Sequence, residues 1–425
     1  MTTDVSVQYF SHLNGLKLEN KWGDLIRLLD TVLVNGLELP SITAALINES
    51  GEVALTLYSE HKALLFQIVE LSGFTPAALN QKYRIKGIPS TNQLILKPQN
   101  PIAGSSVNTS GLAKLSSFGY EIVFRDSGDV KRVYRAKNPT SKHPFIRVDE
   151  SISDGVNSYA STYAKSAMVG LLERMDHIDD FNNNNVLQLP FDPADPAKNW
   201  KIAGTGNSVI RGWSRWVWTR AGAYTNSGAD SYPPSEGLIA FTISGDKDAF
   251  YFVRAVLSNA GHYKGVYGCG IVESQLQDDL IPPWFLMTFL QYIPASTGYL
   301  LTSAPGSAAP FFNTKEASKL YMPKYNPLNI YQEHSSVYSA VPDYESGYSD
   351  LFGADVMPAI SVPLYDDLGH LRGSLKHIHY TGKSLANTTN TTAHLDGDSM
   401  FVTDRCYASR SSNVGGVAFY LGELN

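Results

Sequence analysis

Apolar residues recur at helical spacing in one clear stretch near the start of the chain. Trp22, Leu25, Ile26, Leu29, Val32 and Leu33 fall at i, i+3, i+4 and i+7 offsets, which gathers them on one face of a helix over 22–35. Asp24 sits in its first turn, where the helix dipole favours an acid. Gly36 follows as a stop that tolerates a positive φ. From Ile42 to about Leu96 the period becomes two. Val53, Leu55 and Leu57 alternate, Gln67-Ile68-Val69 is a short apolar run, and Tyr83-Arg84-Ile85 and Gln93-Leu94-Ile95-Leu96 flank a turn-like Gly87–Asn92. The pattern predicts a helix followed by a small antiparallel β unit.

Residues 97–111, rich in Pro, Asn, Ser and Gly, read as a linker. They close a first unit, 1–100, expected to fold by itself as an attachment domain. A central β-rich unit spans 112–305, with strands predicted at 118–125, 130–136 and 144–149. A helix is predicted over 159–175, where Tyr163, Ala167, Gly170, Leu171 and Met175 fall roughly on one face. Asn182–Asn185 and Asp192–Pro196 read as loops. The strongest hairpin pairs Leu238–Ile243 with Ala249–Leu257, both β-branched and aromatic, around Gly245-Asp246-Lys247-Asp248. A Ser, Ala, Gly and Pro stretch at 302–312 precedes a last unit, 313–425, with strands predicted at 360–365, 370–380 and 415–421. There is no fixed-period repeat and no heptad run. The expected fold class is mainly β (α+β), with several antiparallel β domains and an N-terminal helix.

Composition supports this. Of 425 residues, 17% are charged, below the roughly 25% usual for soluble domains. Tyr (24) and Phe (18) are plentiful, as suits sheet surfaces. A low charge fraction also suits a chain that covers its surface with other subunits, so a homo-oligomer is expected. The proline-broken, tyrosine-rich segment Tyr321–Pro363 is expected to order against a neighbour. The net charge of −6 and the absence of a Lys/Arg block argue against nucleic acid. The longest apolar runs, such as Trp284 to Leu290, fall short of the roughly 20 residues of a membrane span. No secretory signal is read at Met1-Thr2-Thr3-Asp4, and Cys269 and Cys406 form no CxxC pair. A soluble protein made in a reducing cytoplasm is expected, so Asn387 and Asn390 carry no glycan meaning.

Candidate chemistry is sparse. His377-Ile378-His379 would place two imidazoles on one face of a strand. A metal there needs further ligands, and Asp366, Asp367, His370 and His394 are the available partners. Otherwise the two histidines simply face solvent. Asp396-Gly397-Asp398 hints at a calcium loop but lacks its remaining ligands, which favours a plain acidic turn. Gly204-Thr205-Gly206 has no following Lys-Ser/Thr and is not a phosphate loop. Glu173 with Asp176, or Asp179 with Asp180, would be a carboxylate pair of the glycosidase kind only if spaced suitably in the fold. Trp213, Trp216 and Trp218 with Arg211, Arg215 and Arg220 form either a stacking platform for sugars or a core strand with arginines snorkelling at its edge. The core strand is the favoured reading. No catalytic signature is complete, so no enzyme activity and no cofactor are expected.

Several short segments carry a resemblance. These are Tyr9-Phe10, the helix end Leu33-Val34-Asn35-Gly36, Leu79-Asn80, Tyr83-Arg84-Ile85, Tyr134-Arg135 and Phe145-Ile146-Arg147-Val148-Asp149. Gly245-Asp246, Phe250-Tyr251-Phe252 and Leu371-Arg372-Gly373 continue it. Together they resemble virion structural proteins of tailed bacteriophages and Mu-like contractile-tail prophages. The Asn182–Asn185 region departs from the pattern, and the last hundred residues follow it more loosely. The resemblance implies a virion subunit of the tail, baseplate or fibre attachment that assembles with other virion proteins. A head decoration or collar protein, or a receptor-binding module touching host-surface glycans, are the alternatives.

Overall fold

The computed structural model describes residues 2–102, 106–107, 111–206, 209–221, 232–255, 258, 264–276, 281–290, 320–324, 334–339, 357–381, 385, 389–407 and 414–425. The chain is 47% strand and 7% helical, so it is mainly β. Every strand ladder described is antiparallel, and four large sheets carry the fold. No described helix is long and apolar enough to cross a membrane. The stretch at 302–312 and most of Tyr321–Pro363 lie outside the described residues.

The first sheet runs, in spatial order, Leu37–Glu38, Leu112–Leu115, Ile68–Ser72, Lys82–Ser90, Gln93–Pro98, Val53–Leu57 and Ile42–Ile47. Val53, Leu55 and Leu57 are buried and Ala54 and Thr56 only half-buried, as the alternation predicts. The helix predicted over 22–35 is a short α-helix, α1, at Asp24–Leu29, continued by a wider turn at Asp30–Asn35. Leu25, Ile26, Leu29, Val32 and Leu33 are all buried in one cluster with Val69, Leu96 and Leu115 of this sheet. The helical run stops at Gly36, whose φ is +75°. A Cβ there would lie 2.3 Å from the Leu115 carbonyl oxygen, so only glycine fits.

Pairing crosses the unit boundaries expected from sequence. Leu112–Leu115, beyond the expected linker, adds a strand to the first sheet. Gln8–Ser11, within the first unit, pairs with Phe241–Gly245 of the third sheet, Gln8 opposite Gly245 and Ser11 opposite Thr242.

The second sheet runs Phe289–Leu290, Ser214–Thr219, Lys165–Leu172, Phe145–Asp149, Lys131–Ala136 and Tyr120–Arg125, with Gln188–Leu189 paired onto Lys165–Leu172. The helix predicted at 159–175 is therefore corrected to a strand. All eight residues of Lys165–Leu172 are buried, so both faces are covered and no alternation survives to mark it. Trp200 packs so closely over Gly170 that a Cβ would meet its ring at 2.8 Å.

The third sheet is Gln8–Ser11, Phe241–Gly245, Ala249–Ala255, Lys264–Ile271, Trp284–Met287, Leu320–Pro323 and His334–Val337. It is a central layer. Phe250 and Phe252 join the core shared with the first two sheets. Ala249, Tyr251 and Val253 point the other way, into a core with Val402, Phe419 and Leu421 of the fourth sheet. That sheet is Glu273–Ser274, Leu371–Tyr380, Val414–Glu423, Ser399–Tyr407 and Thr392–Asp396, with Ile360–Tyr365 on Leu371–Tyr380.

The second sheet also anchors the start of α1. Glu150, just past Phe145–Asp149, accepts the N–H of Ile26 at 2.7 Å and that of Gly23. Burial raises its carboxyl pKa from 4.5 to about 7, against the pull of those two N–H groups. Because the folded value is raised, this group's contribution to stability is fully present below about 4.5 and is lost as pH rises through about 7. The loss is on the order of 3 kcal/mol, and Glu150→Gln is expected to flatten it. Thermal melts of both chains between about pH 4.5 and 8 check this; a stability difference between them that is constant across that range would contradict it.

Candidate functional site

The two histidines singled out from sequence reach different neighbours. Both lie on Leu371–Tyr380, but His377 has a φ of +61°. Pairing with the neighbouring strand jumps from Ser361 opposite His379 to Pro363 opposite Ser374. The irregularity falls between Ser374 and His379; His377 and His379 are each half-buried and flank the buried Ile378. His377 Nε2 lies 3.0 Å from Asp246 Oδ2. His379 instead sits beside the rings of Phe401 and Tyr420, and burial, then the nearby His377, push its pKa down.

The four partners considered for a metal do not join them. Asp366 accepts the N–H groups of Leu368 and His370 and lies 3.2 Å from His370 Nδ1. Asp367 accepts the Ser335 hydroxyl, and His394 Nε2 lies 3.0 Å from Thr403 Oγ1. Among the described residues, no three His, Cys, Asp or Glu side chains group so as to hold a metal ion.

What does gather near His377 is a charged knot joining three sheets. Asp246 and Asp248 occupy the turn between Phe241–Gly245 and Ala249–Ala255. Asp246 Oδ1 accepts the N–H groups of Asp248 and Ala249 at 2.8 and 3.1 Å, which shapes that turn. Asp248 Oδ1 lies 2.9 Å from His143 Nε2, and Lys376 Nζ donates to Asp248 Oδ2 at 2.8 Å. His143 precedes a strand of the second sheet and Lys376 belongs to the fourth. The Tyr251 hydroxyl donates to the Lys376 carbonyl at 2.7 Å, fastening the same strand. His143 first, then Lys376, hold the Asp248 carboxyl well below the usual carboxylate range.

An Asp–His pair is half of a proton relay, so the other face of His143 decides what it can do. His143 Nδ1 accepts the Thr140 backbone N–H at 2.9 Å, and the Thr140 hydroxyl lies at the same distance. Nδ1 has a single lone pair, so Nε2 carries the proton toward Asp248. With Nδ1 occupied by the backbone N–H, the ring is not free to take the hydroxyl's proton. The arrangement locks a turn. Sequence reading found the 245–248 turn but not the knot, because His143 and Lys376 are 105 and 128 residues from Asp248 and no local spacing marks them.

The remaining candidates are also tied inward. Trp213, Trp216 and Trp218 are 3%, 0% and 1% exposed, so they offer no open stacking platform. Trp216 Nε1 donates to the Met287 carbonyl and stacks on Tyr267 at 5.7 Å. The arginines beside them are buried as well, which corrects the expected snorkelling. Arg211 donates to the carbonyls of Ser151 and Ser166 and stacks on Trp22 at 4.6 Å.

Asp179 pairs with the buried Arg147 at 2.8 Å, and Asp180 accepts the Asp176 N–H; Glu173 is exposed. Gly397, at φ +58°, and Asp398 make the turn between Thr392–Asp396 and Ser399–Tyr407. A cleft of about 330 Å³ beside α1 is lined by Lys17, Lys21 and Arg27 among others, but Lys21 pairs with Glu19 and Arg27 with Asp24. No protein-family model matches the chain, and no curated protein matches it.

Proposed function

We propose that the chain is a non-enzymatic structural subunit of a tailed-phage particle, in the tail, the baseplate or the fibre attachment. The observation that best supports this is how the titratable groups are used. Asp246, Asp248, His143, Lys376 and His377 are committed to one another across three sheets rather than converging on a cleft. Such cross-ties suit a body that holds its shape under load. The resemblance of its short segments to virion structural proteins of tailed phages and Mu-like prophages suggests the body's proposed place.

Mass spectrometry and immunogold labelling of purified particles test the reading. The chain is expected in stoichiometric amount in the tail fraction, and a gene deletion is expected to leave particles defective there. Absence from purified particles would overturn the placement. Purified chain is expected to release no sugar or peptide from host polysaccharide or peptidoglycan, and robust hydrolysis would overturn the non-enzymatic reading.

A further inference from the structure

Among the described residues, the end strand of the first sheet, Ile42–Ile47, has a neighbour on one side only. Asn48 N–H donates to the Glu52 carbonyl at 2.9 Å at the mouth of the hairpin with Val53–Leu57. Narrow and wide pairs alternate along an antiparallel ladder. With Leu46 opposite Ala54 and Ala44 opposite Thr56, Leu46 and Ala44 therefore make the bonds into the sheet. The N–H and C=O groups of Ala45 and Ile47 point outward along the free edge.

Edges of this kind are normally blunted by charge, proline or shortness. Three other edges are blunted in these ways: Tyr120–Arg125 carries Glu121 and Arg125, Thr392–Asp396 carries His394 and Asp396, and Leu37–Glu38 is two residues long. Ile42–Ile47 reads ITAALI, with no charge and no proline. Its register shifts between Ile42 and Ala44, which leaves Ala44–Ile47 as the regular, unprotected part of the edge. On the sheet face turned away from the core, Leu46 is 68% exposed. It lies opposite Ala54, which lies opposite Ile95, so an apolar row runs to the edge and stops there.

We propose that this edge pairs with the same strand of a second copy of the chain, antiparallel about a twofold axis at Ala45. The strand is its own complement in this register. Inward side chains meet inward ones only when Ala45 faces Ala45 of the partner subunit or the strands shift by two residues. Ala44 then lies opposite Leu46 of the partner subunit, small against large, and the apolar row continues across both sheets. Of the two acids in the turn, Glu49 falls opposite Ser41 of the partner subunit and Glu52 is held by Lys86, so no like charges meet. The outward backbone groups of Ala45 are satisfied reciprocally, which an isolated edge leaves to water.

Analytical ultracentrifugation of the purified full chain is expected to show a reversible dimer. Leu46→Lys and Ala44→Lys, both at exposed positions, are expected to weaken it roughly tenfold or more without moving the melting temperature. The register is read separately by cross-linking. Opposed residues 44 and 46 would have Cα atoms about 4.5 Å apart, within disulfide reach, and both native cysteines are buried. A mixture of Ala44→Cys and Leu46→Cys chains is expected to cross-link under mild oxidation far more than either variant alone. A chain that stays monomeric, a dimer indifferent to both lysines, or equal cross-linking by the single variants would each overturn the proposal. All these readouts use the isolated chain, so their failure leaves the particle reading standing, and absence from particles leaves the dimer standing.

Discussion

Arg84→Met is expected to destabilise the fold by at least about 3 kcal/mol. Arg84 is 0% exposed, and its guanidinium donates only to backbone carbonyls. Nε and Nη2 reach the Asp4 oxygen at 3.0 and 2.6 Å. Nη1 reaches Val7 and Phe66 at 3.0 and 2.7 Å, and Nη2 also reaches Leu421 at 2.9 Å. Methionine preserves much of the stem's packing but removes every donor. Four carbonyls then lose a partner, and the three in buried residues, Val7, Phe66 and Leu421, each cost about 1–3 kcal/mol. Arg84→Lys is expected to recover little, because a compact ammonium cannot span four acceptors held by a planar fork. Urea unfolding of the three chains checks this. A midpoint for Arg84→Met within experimental error of the wild type would mean that the carbonyls find other partners without loss.

Lys264→Met is expected to cost about 3–5 kcal/mol, and the paired change Lys264→Met with Asp404→Leu much less. The side chains of both residues are 0% exposed. Lys264 Nζ donates to the two Asp404 oxygens at 2.7 and 2.8 Å and to the Thr389 carbonyl at 2.8 Å. The Thr242 hydroxyl and the Arg405 N–H complete the carboxylate's shell. The pair joins the third sheet to the fourth. Removing only the ammonium leaves a buried anion with no counter-charge, whereas removing both leaves an apolar contact that can pack. A double-mutant cycle by chemical denaturation reads the coupling. Additive losses, with the double variant the least stable, would show that the two charges do not stabilise each other.

What was legible in the sequence follows from how many faces each element buries. Val53–Leu57 buries one face, and its alternation is plain. The 241–255 hairpin declares itself through its aromatic strands and acidic turn. Lys165–Leu172 buries both faces, so its apolar run carries no period, and a chance helical spacing misdirected the reading. The candidate site was legible only in halves. The Asp246–Asp248 turn and the His377–His379 pair were each visible, but nothing in residue type shows that His377 meets Asp246 across 131 residues. Nor does composition reveal that arginines beside Trp216 point inward, since a buried Arg211 and a surface arginine read alike. The unit boundaries rested on a Pro- and Gly-rich stretch, and local composition says nothing of pairing as distant as Gln8 with Gly245.

That distant pairing bears on how the chain is made. Gln8 and Ser244 are bonded across 236 residues. At synthesis rates of about 5–20 residues per second, the strand Gln8–Ser11 waits roughly 10–50 s for its partner to leave the ribosome. Arg84 waits longer still, since Leu421 lies 337 residues further on. Gln8–Ser11 and Arg84 are thus synthesised well before these distant partners. Nascent chains are expected to stay protease-sensitive near Gln8–Ser11 until Phe241–Gly245 is out, and near Asp4 until the strand Val414–Glu423 is out. A chain stalled before that strand is made is expected to keep the segment around Asp4 open to cleavage, since its bonds to Glu423 never form.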